Sequence, residues 1–65
     1  MYRVLVEYDD GDSWDKEFEE AHDALAFYRR CADSRIVHGE RATVKAQRRE
    51  GEWKTVFKSE IFGLL

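Results

Sequence analysis

The residues of this sequence with the most evident chemistry are carboxylates gathered in one segment. Residues 7–23 contain nine acidic residues and one basic residue, Lys16, for a net charge of −8. Alternate residues of a β-strand lie about 7 Å apart on one face, so Asp15, Glu17 and Glu19 would form a row of carboxylates. That spacing is comparable to the roughly 7 Å between successive phosphates of one DNA strand, and such a row can occupy a basic groove that otherwise binds nucleic acid.

We therefore predict that an acidic surface binds a larger protein that has a basic surface of its own, because complementary charge accelerates encounter and sets register. The predicted partner-binding residues are Asp9, Asp10, Asp12, Asp15, Glu17, Glu19 and Glu20. The same residues would also suit a solvated turn followed by a helix whose dipole favours acids at its start. That structural interpretation stays open.

The sign of the charge reverses later in the chain. Residues 41–58 carry six bases and two acids, for a net charge of +4. Two strand-like runs share this segment. Lys45 and Arg49 have equal parity on the first run and Lys54 and Lys58 on the second, and if the two sets face the same way they form one small basic surface. The alternative nucleic-acid-binding residues are Lys45, Arg48, Arg49, Lys54 and Lys58, with Trp53 or Trp14 available to stack on a base. The overall net charge of −3 and a pI near 5.3 oppose polyanion binding, so nucleic acid is the less favoured partner.

Catalytic and metal chemistry find little support in the spacing of the other reactive residues. Cys31, His22 and His38 have none of the paired spacings that zinc sites use. The carboxylates of residues 9–12 do not match the ligand order of a calcium-binding loop. We predict no enzyme activity, no cofactor and no metal. The single cysteine cannot form an internal disulfide, which favours a reducing cytoplasm, and its place on an apolar helix face predicts a buried thiol.

The acidic segment must be positioned by a hairpin and a helix. Tyr2–Tyr8 has one apolar and one mixed face, residues 9–12 form a turn cluster around Gly11, and Ser13–Glu19 alternates again, which predicts an antiparallel hairpin. From Glu20 to Ala32 the apolar residues recur every three or four positions, which predicts one amphipathic helix.

Two further strands are predicted after a connection that contains Ile36-Val37 as an anchor into the core. Ala42–Arg49 and Glu52–Lys58 flank the turn pair Glu50-Gly51, which indicates a second hairpin. The predicted fold class is α+β, a four-stranded antiparallel sheet made of two β-hairpins that flank one α-helix, in ββαββ order. The pattern does not decide which strands are neighbours at the centre of the sheet.

Length and composition predict one folded domain, residues 1–65, with little room for a deep pocket. The large aromatic residues Trp14, Phe18, Trp53 and Phe57 are expected mainly in the core. No run of about 18 apolar residues is present, so no membrane association is expected. The apolar tail Ile61–Leu65 and a free strand edge make a homodimer the third functional hypothesis.

The brevity of the chain, the acidic hairpin and the hairpin–helix–hairpin order resemble a class of small acidic accessory proteins that bacteriophages encode. Anti-CRISPR and anti-restriction inhibitors belong to this class. The resemblance implies binding to a CRISPR or restriction nuclease complex in the cytoplasm of a bacterial host, through the channel that holds nucleic acid. It assigns no role to any individual residue.

Overall fold

Four strands and one helix follow one another in the order that the sequence predicts. The computed structural model describes residues 1–33 and 41–61. The strands are β1 (Tyr2–Tyr8), β2 (Ser13–Phe18), β3 (Ala42–Glu50) and β4 (Glu52–Ile61), and the helix is α1 (Ala21–Ala32). The strands form one antiparallel sheet in the order β2-β1-β3-β4. The α+β class and the ββαββ order are therefore confirmed.

β1 and β2 pair through a three-residue loop that ends at Gly11. The N–H of Tyr8 donates to the carbonyl of Asp12 at 2.8 Å, and Gly11 has a φ of +96°, the left-handed conformation that such loops require. In β1, Val4 and Val6 are fully buried, while the alternate residues Arg3, Leu5 and Glu7 are only partly buried. This alternation fixes the register of the hairpin, because a shift by one residue would turn both valines to solvent.

The helix packs on one face of the sheet. Glu20 is its N-cap residue in an extended conformation, and the buried side chains of Ala24, Tyr28 and Cys31 recur at helical spacing. Tyr28 and Cys31 belong to the same core cluster as the fully buried valines of β1 and β3. The described elements leave the opposite face of the sheet uncovered, and we call that side the open face.

The strand order places β1 and β3 at the centre and leaves β2 and β4 as edges. Only Gly51, with a φ of +78°, separates β3 from β4, so the predicted two-residue turn is one residue too long. The pairing of β3 with β4 is irregular: Ala46 pairs with Phe57, but Gln47 pairs with Thr55. Val56 is the extra residue of this β-bulge, and the parity of β4 changes there.

Several predictions about packing are settled by burial. Trp14 and Phe18 pack partly buried against the core as expected, whereas Phe57 is 54% exposed and Val56 is 55% exposed. Ile61 is buried at the end of β4 and is not part of an exposed tail. The Ile36-Val37 anchor and residues 62–65 lie outside the described residues.

Candidate protein-interaction surface

The seven predicted partner-binding acids all lie on β2 or at its two ends, and all are exposed. Asp15 and Glu17 are on the strand itself. Three of the others are in the loop before β2, and the last two lie between β2 and α1. We call this set the acidic edge; it comprises Asp9, Asp10, Asp12, Asp15, Glu17, Glu19 and Glu20.

The carboxylate row on β2 is shorter than the sequence predicts. The strand ends at Phe18, so Glu19 lies beyond it in a bend and does not continue the row. Asp15 pairs with Leu5, and Glu17 pairs with Arg3. These residues of β1 alternate with the buried valines, so Asp15 and Glu17 are on the open face.

Most of the charge of the acidic edge is not neutralised within the described structure. Among residues 1–33 and 41–61, none of its seven acids forms an ion pair with a basic side chain; Asp10 only accepts a hydrogen bond from the N–H of Asp12, at 2.9 Å. The ion pairs between described residues all lie outside the acidic edge. They are Lys45–Glu7, Arg48–Glu50 and Lys54–Glu50, with a further contact between His22 and Asp23.

Arg3 explains why Glu17 has no cross-strand ion pair. The two residues are opposite each other in the β1–β2 register, where unlike charges normally attract. The Nε of Arg3 instead donates to Oε1 of Gln47 at 2.6 Å, and its guanidinium carbon is 4.5 Å from the centre of the Trp53 ring. Sequence reasoning missed this arrangement, because Gln47 and Trp53 are far from Arg3 in the chain and only the strand order brings them together.

Lys16, the one base within the acidic segment, lies on the other side of the strand. It pairs with Val4 on the helix side of the sheet, and its Nζ is 5.6 Å from the Phe18 ring centre and 5.3 Å from that of Phe27. A cation held over aromatic rings is partly stabilised there. It therefore leaves the carboxylates of the open face unpaired.

The predicted basic residues do not form a single surface, which corrects the sequence interpretation. Lys45 and Lys58 pair with each other on the open face, but Lys54 pairs with Arg48 on the helix side. The bulge at Val56 is the cause, since it reverses the parity on which the prediction depended. Lys45 also pairs with Glu7, and Arg48 and Lys54 share Glu50.

A smaller cationic group remains on the open face. Arg49 pairs with Trp53 in the register of β3 and β4, and its guanidinium carbon is 5.8 Å from the ring centre. Arg3 approaches the same ring. Among the described residues, neither arginine forms an ion pair, and the same is true of Lys58.

Reactive side chains are not assembled into a metal site in the part of the chain that the structure describes. There, no three His, Cys, Asp or Glu residues come close enough together to hold a metal ion. Cys31 is fully buried, and burial raises the pKa of its thiol although Arg30 opposes the shift. His38 lies outside the described residues.

Within residues 1–33 and 41–61, no helix is long and apolar enough to cross a membrane. The fold and its surfaces define a small α+β domain with an acidic edge strand and a mixed open face.

The chain matches no family model, no curated protein and no solved structure in the comparisons made with each.

Proposed function

We propose that this protein is a non-catalytic binding module whose acidic edge engages a basic surface of a larger protein. The observation that carries the proposal is the grouping of seven exposed acids on one edge strand and at its two ends, with no ion pair to any described base. Carboxylates that lie close together create a negative electrostatic potential, which attracts a basic partner and speeds association.

The kind of partner follows from the spacing of the carboxylates and from the resemblance of the sequence. Asp15 and Glu17 lie on one face about 7 Å apart, as alternate residues of a strand do, and this spacing suits a groove built to bind phosphates. The resemblance to phage-encoded inhibitors supports a CRISPR or restriction nuclease complex of a bacterial host as the partner. In that case the acidic edge would block the nucleic-acid channel both sterically and electrostatically.

The first test identifies the partner. Tagged protein is used to capture partners from bacterial lysate, with and without nuclease treatment, and the bound proteins are identified by mass spectrometry. A stoichiometric protein that survives nuclease and dissociates in high salt supports the proposal. Capture that depends on intact nucleic acid contradicts it.

The second test is a charge reversal with a matched control. Asp15→Lys together with Glu17→Lys should slow association with the captured partner about ten-fold, because steering acts on the association rate. Glu52→Lys together with Glu60→Lys reverses the same number of exposed charges on the other edge strand and should change association less than two-fold. Equal effects of the two double variants, or binding that added salt does not weaken, would refute the electrostatic proposal.

Nucleic-acid binding remains a second candidate because of one specific arrangement. Arg3 and Arg49 both approach Trp53 on the open face without an ion pair to a described acid. A single strand laid across this face would meet two guanidinium groups and the half-exposed ring. A mobility-shift assay with single-stranded DNA and RNA at low salt tests this, and no shift at micromolar protein rejects it.

A further inference from the structure

The hydrogen bonds around β1 determine which backbone groups of β2 are free. Tyr8 uses both of its backbone groups towards β2, donating to the Asp12 carbonyl and accepting from the Gly11 N–H. Its neighbour Asp9 donates to the Arg41 carbonyl, on the β3 side, at 3.2 Å. Because backbone groups alternate in direction along a strand, even-numbered residues of β1 bond to β2 and odd-numbered residues bond to β3.

The same alternation applies to β2. Even-numbered residues of β1 pair with Trp14, Lys16 and Phe18, so these three residues direct their backbone groups inwards. Ser13, Asp15 and Glu17 therefore direct their N–H and C=O groups to the outer edge, where no described strand receives them. Asp15 and Glu17 thus offer backbone hydrogen bonds at the edge and carboxylates on the open face beside it.

A pocket flanks this edge on the helix side. It has a volume of about 350 Å³ and is lined by Lys16, Phe18, Asp23, Ala26, Phe27 and Arg30. The Phe18 and Phe27 rings are 5.4 Å apart and form its apolar part. Lys16 lies over both rings, so a side chain that enters the pocket packs on the rings beside the aliphatic stem of Lys16. A strand added to β2 would direct every second side chain to this side, and one of them would reach the pocket.

We propose that β2 accepts an extended segment of the partner as a fifth strand of the sheet. The segment carries Lys or Arg at two alternate positions, opposite Asp15 and Glu17, and an apolar side chain between them that enters the Phe18–Phe27 pocket. Backbone bonds supply affinity in this mode of recognition, and alternate side chains supply specificity. The inference deepens the proposed function and rests on it, since it specifies how the acidic edge holds its basic partner.

Charge explains why the added strand is a basic segment and not a second copy of this chain. A symmetric antiparallel pair of β2 strands centred on Asp15, Lys16 or Glu17 would place Asp15 or Glu17 of one copy opposite an acid of the other, and like charges directly opposite destabilise a pair. The other edge strand, β4, is interrupted by the bulge at Val56, a device that turns an edge away from pairing. The acidic edge thus disfavours self-association while it attracts a basic strand.

The experiment uses the full chain and a short capped peptide of alternating lysine and valine as the probe. Its control is the same peptide with alternate backbone nitrogens methylated, which keeps the charge but removes half of the hydrogen-bonding edge. The plain peptide should bind at least five-fold more tightly in calorimetry, since the methylated peptide cannot donate backbone hydrogen bonds to β2. In amide-exchange NMR, the plain peptide should slow exchange at Asp15 and Glu17, while Trp14 and Lys16 are slow with and without it.

Proline variants separate backbone pairing from charge. Glu17→Pro removes an edge-facing N–H without breaking a bond to β1, whereas Glu17→Gln removes only the charge. Glu17→Pro should weaken peptide binding about three- to ten-fold beyond Glu17→Gln. The control is Glu60→Pro: Glu60 pairs with Thr43 on the open face of β4, and this variant should bind as tightly as Glu60→Gln.

The outcomes distinguish the two proposals. Equal binding by both Glu17 variants, or by the plain and methylated peptides, overturns strand addition while leaving electrostatic docking intact. If neither peptide binds and the charge reversals do not affect the captured partner, the proposed function fails as well. Circular dichroism of each variant confirms that the sheet is retained, because proline is tolerated on an edge strand where its nitrogen faces outwards.

Discussion

Gln47 links three strands through its buried side-chain amide. It is 8% exposed although it lies on the open face; its Oε1 accepts from Arg3, and its Nε2 donates to Oγ1 of Thr55 at 3.0 Å. This pairing holds the Arg3 guanidinium on Trp53 and away from Glu17. A single amide thereby supports the packing of the sheet and keeps a carboxylate of the acidic edge available.

Replacement of Gln47 by Leu should therefore have two effects. The variant loses both hydrogen bonds, and we expect the free energy of unfolding in urea to fall by about 1–2 kcal/mol. Released from Gln47, Arg3 can pair with Glu17 and should weaken binding to a basic partner. Thr55→Val removes one of the bonds without releasing Arg3, so it should destabilise less and leave binding unchanged. Unaltered stability of Gln47→Leu would contradict this account.

Cys31 gives the stability of the protein a dependence on alkaline pH. Its thiol is fully buried, and burial raises its pKa above the ordinary value. As the pH rises past that ordinary value, the thiol ionises in the unfolded chain first, so the stability contributed by the neutral buried thiol is present at neutral pH and is lost in alkali.

The measurement is the urea midpoint at roughly pH 7 and roughly pH 9.5, on either side of the usual thiol pKa. Cys31→Ala lacks the thiol but keeps every other ionisable group, so it is the reference. The wild-type protein should lose more stability than Cys31→Ala over the interval. Parallel losses would show that the thiol does not contribute.

At the scale of elements, the start of α1 lacks a hydrogen bond that helices usually have. Glu20 is the N-cap residue, but its side chain makes no capping bond. Asp is among the preferred N-cap residues, because its shorter side chain reaches the free N–H groups of the first turn. Glu20→Asp should raise the free energy of unfolding by about 0.5–1 kcal/mol and leave partner binding intact, since the charge remains. Glu19→Asp makes the same change one residue outside the cap and should have no effect on thermal unfolding.

The elements differ in how far the sequence determines them. The first hairpin and the helix are predicted to within a residue or two, since Val4 and Val6 alternate and Ala24, Tyr28 and Cys31 recur at helical spacing. The strand order is not predictable in this way. Both hairpins close locally, and only the burial of facing valines in three dimensions selects the pairing of β1 with β3.

The bulge in β4 had the largest consequence for the predicted surfaces. One unpaired residue, Val56, places Lys54 and Lys58 on opposite sides of the sheet although they are four positions apart. The alternation of residue types along the sequence does not reveal where a strand contains such a bulge. The acidic edge was predictable because its residues are contiguous in the chain, whereas the cluster of Arg3, Trp53 and Arg49 depends on strand order.

For the molecule as a whole, the two charge clusters behave differently after folding. The basic cluster is divided between two faces, and three of its five predicted members form ion pairs with two glutamates. The acidic edge stays together and is not neutralised by the described bases. The carboxylates of the acidic edge lie within about one Debye length of one another, so salt screens their repulsion only in part. The charge that attracts a basic partner therefore also destabilises the fold.

This opposition predicts that salt stabilises the free protein. Raising the ionic strength from about 0.01 M to about 0.3 M shortens the screening length from roughly 30 Å to less than 8 Å, which weakens repulsion along β2 and should raise the unfolding temperature by a few degrees. Asp15→Asn together with Glu17→Gln removes part of that repulsion, so the double variant should be more stable at low salt and respond less to added salt. Glu52→Gln together with Glu60→Gln, on the opposite edge strand, should keep most of the wild-type response. An unfolding temperature that falls with salt would mean that attraction between the acidic edge and nearby bases outweighs its internal repulsion, and the acidic edge would then be a structural feature of the fold.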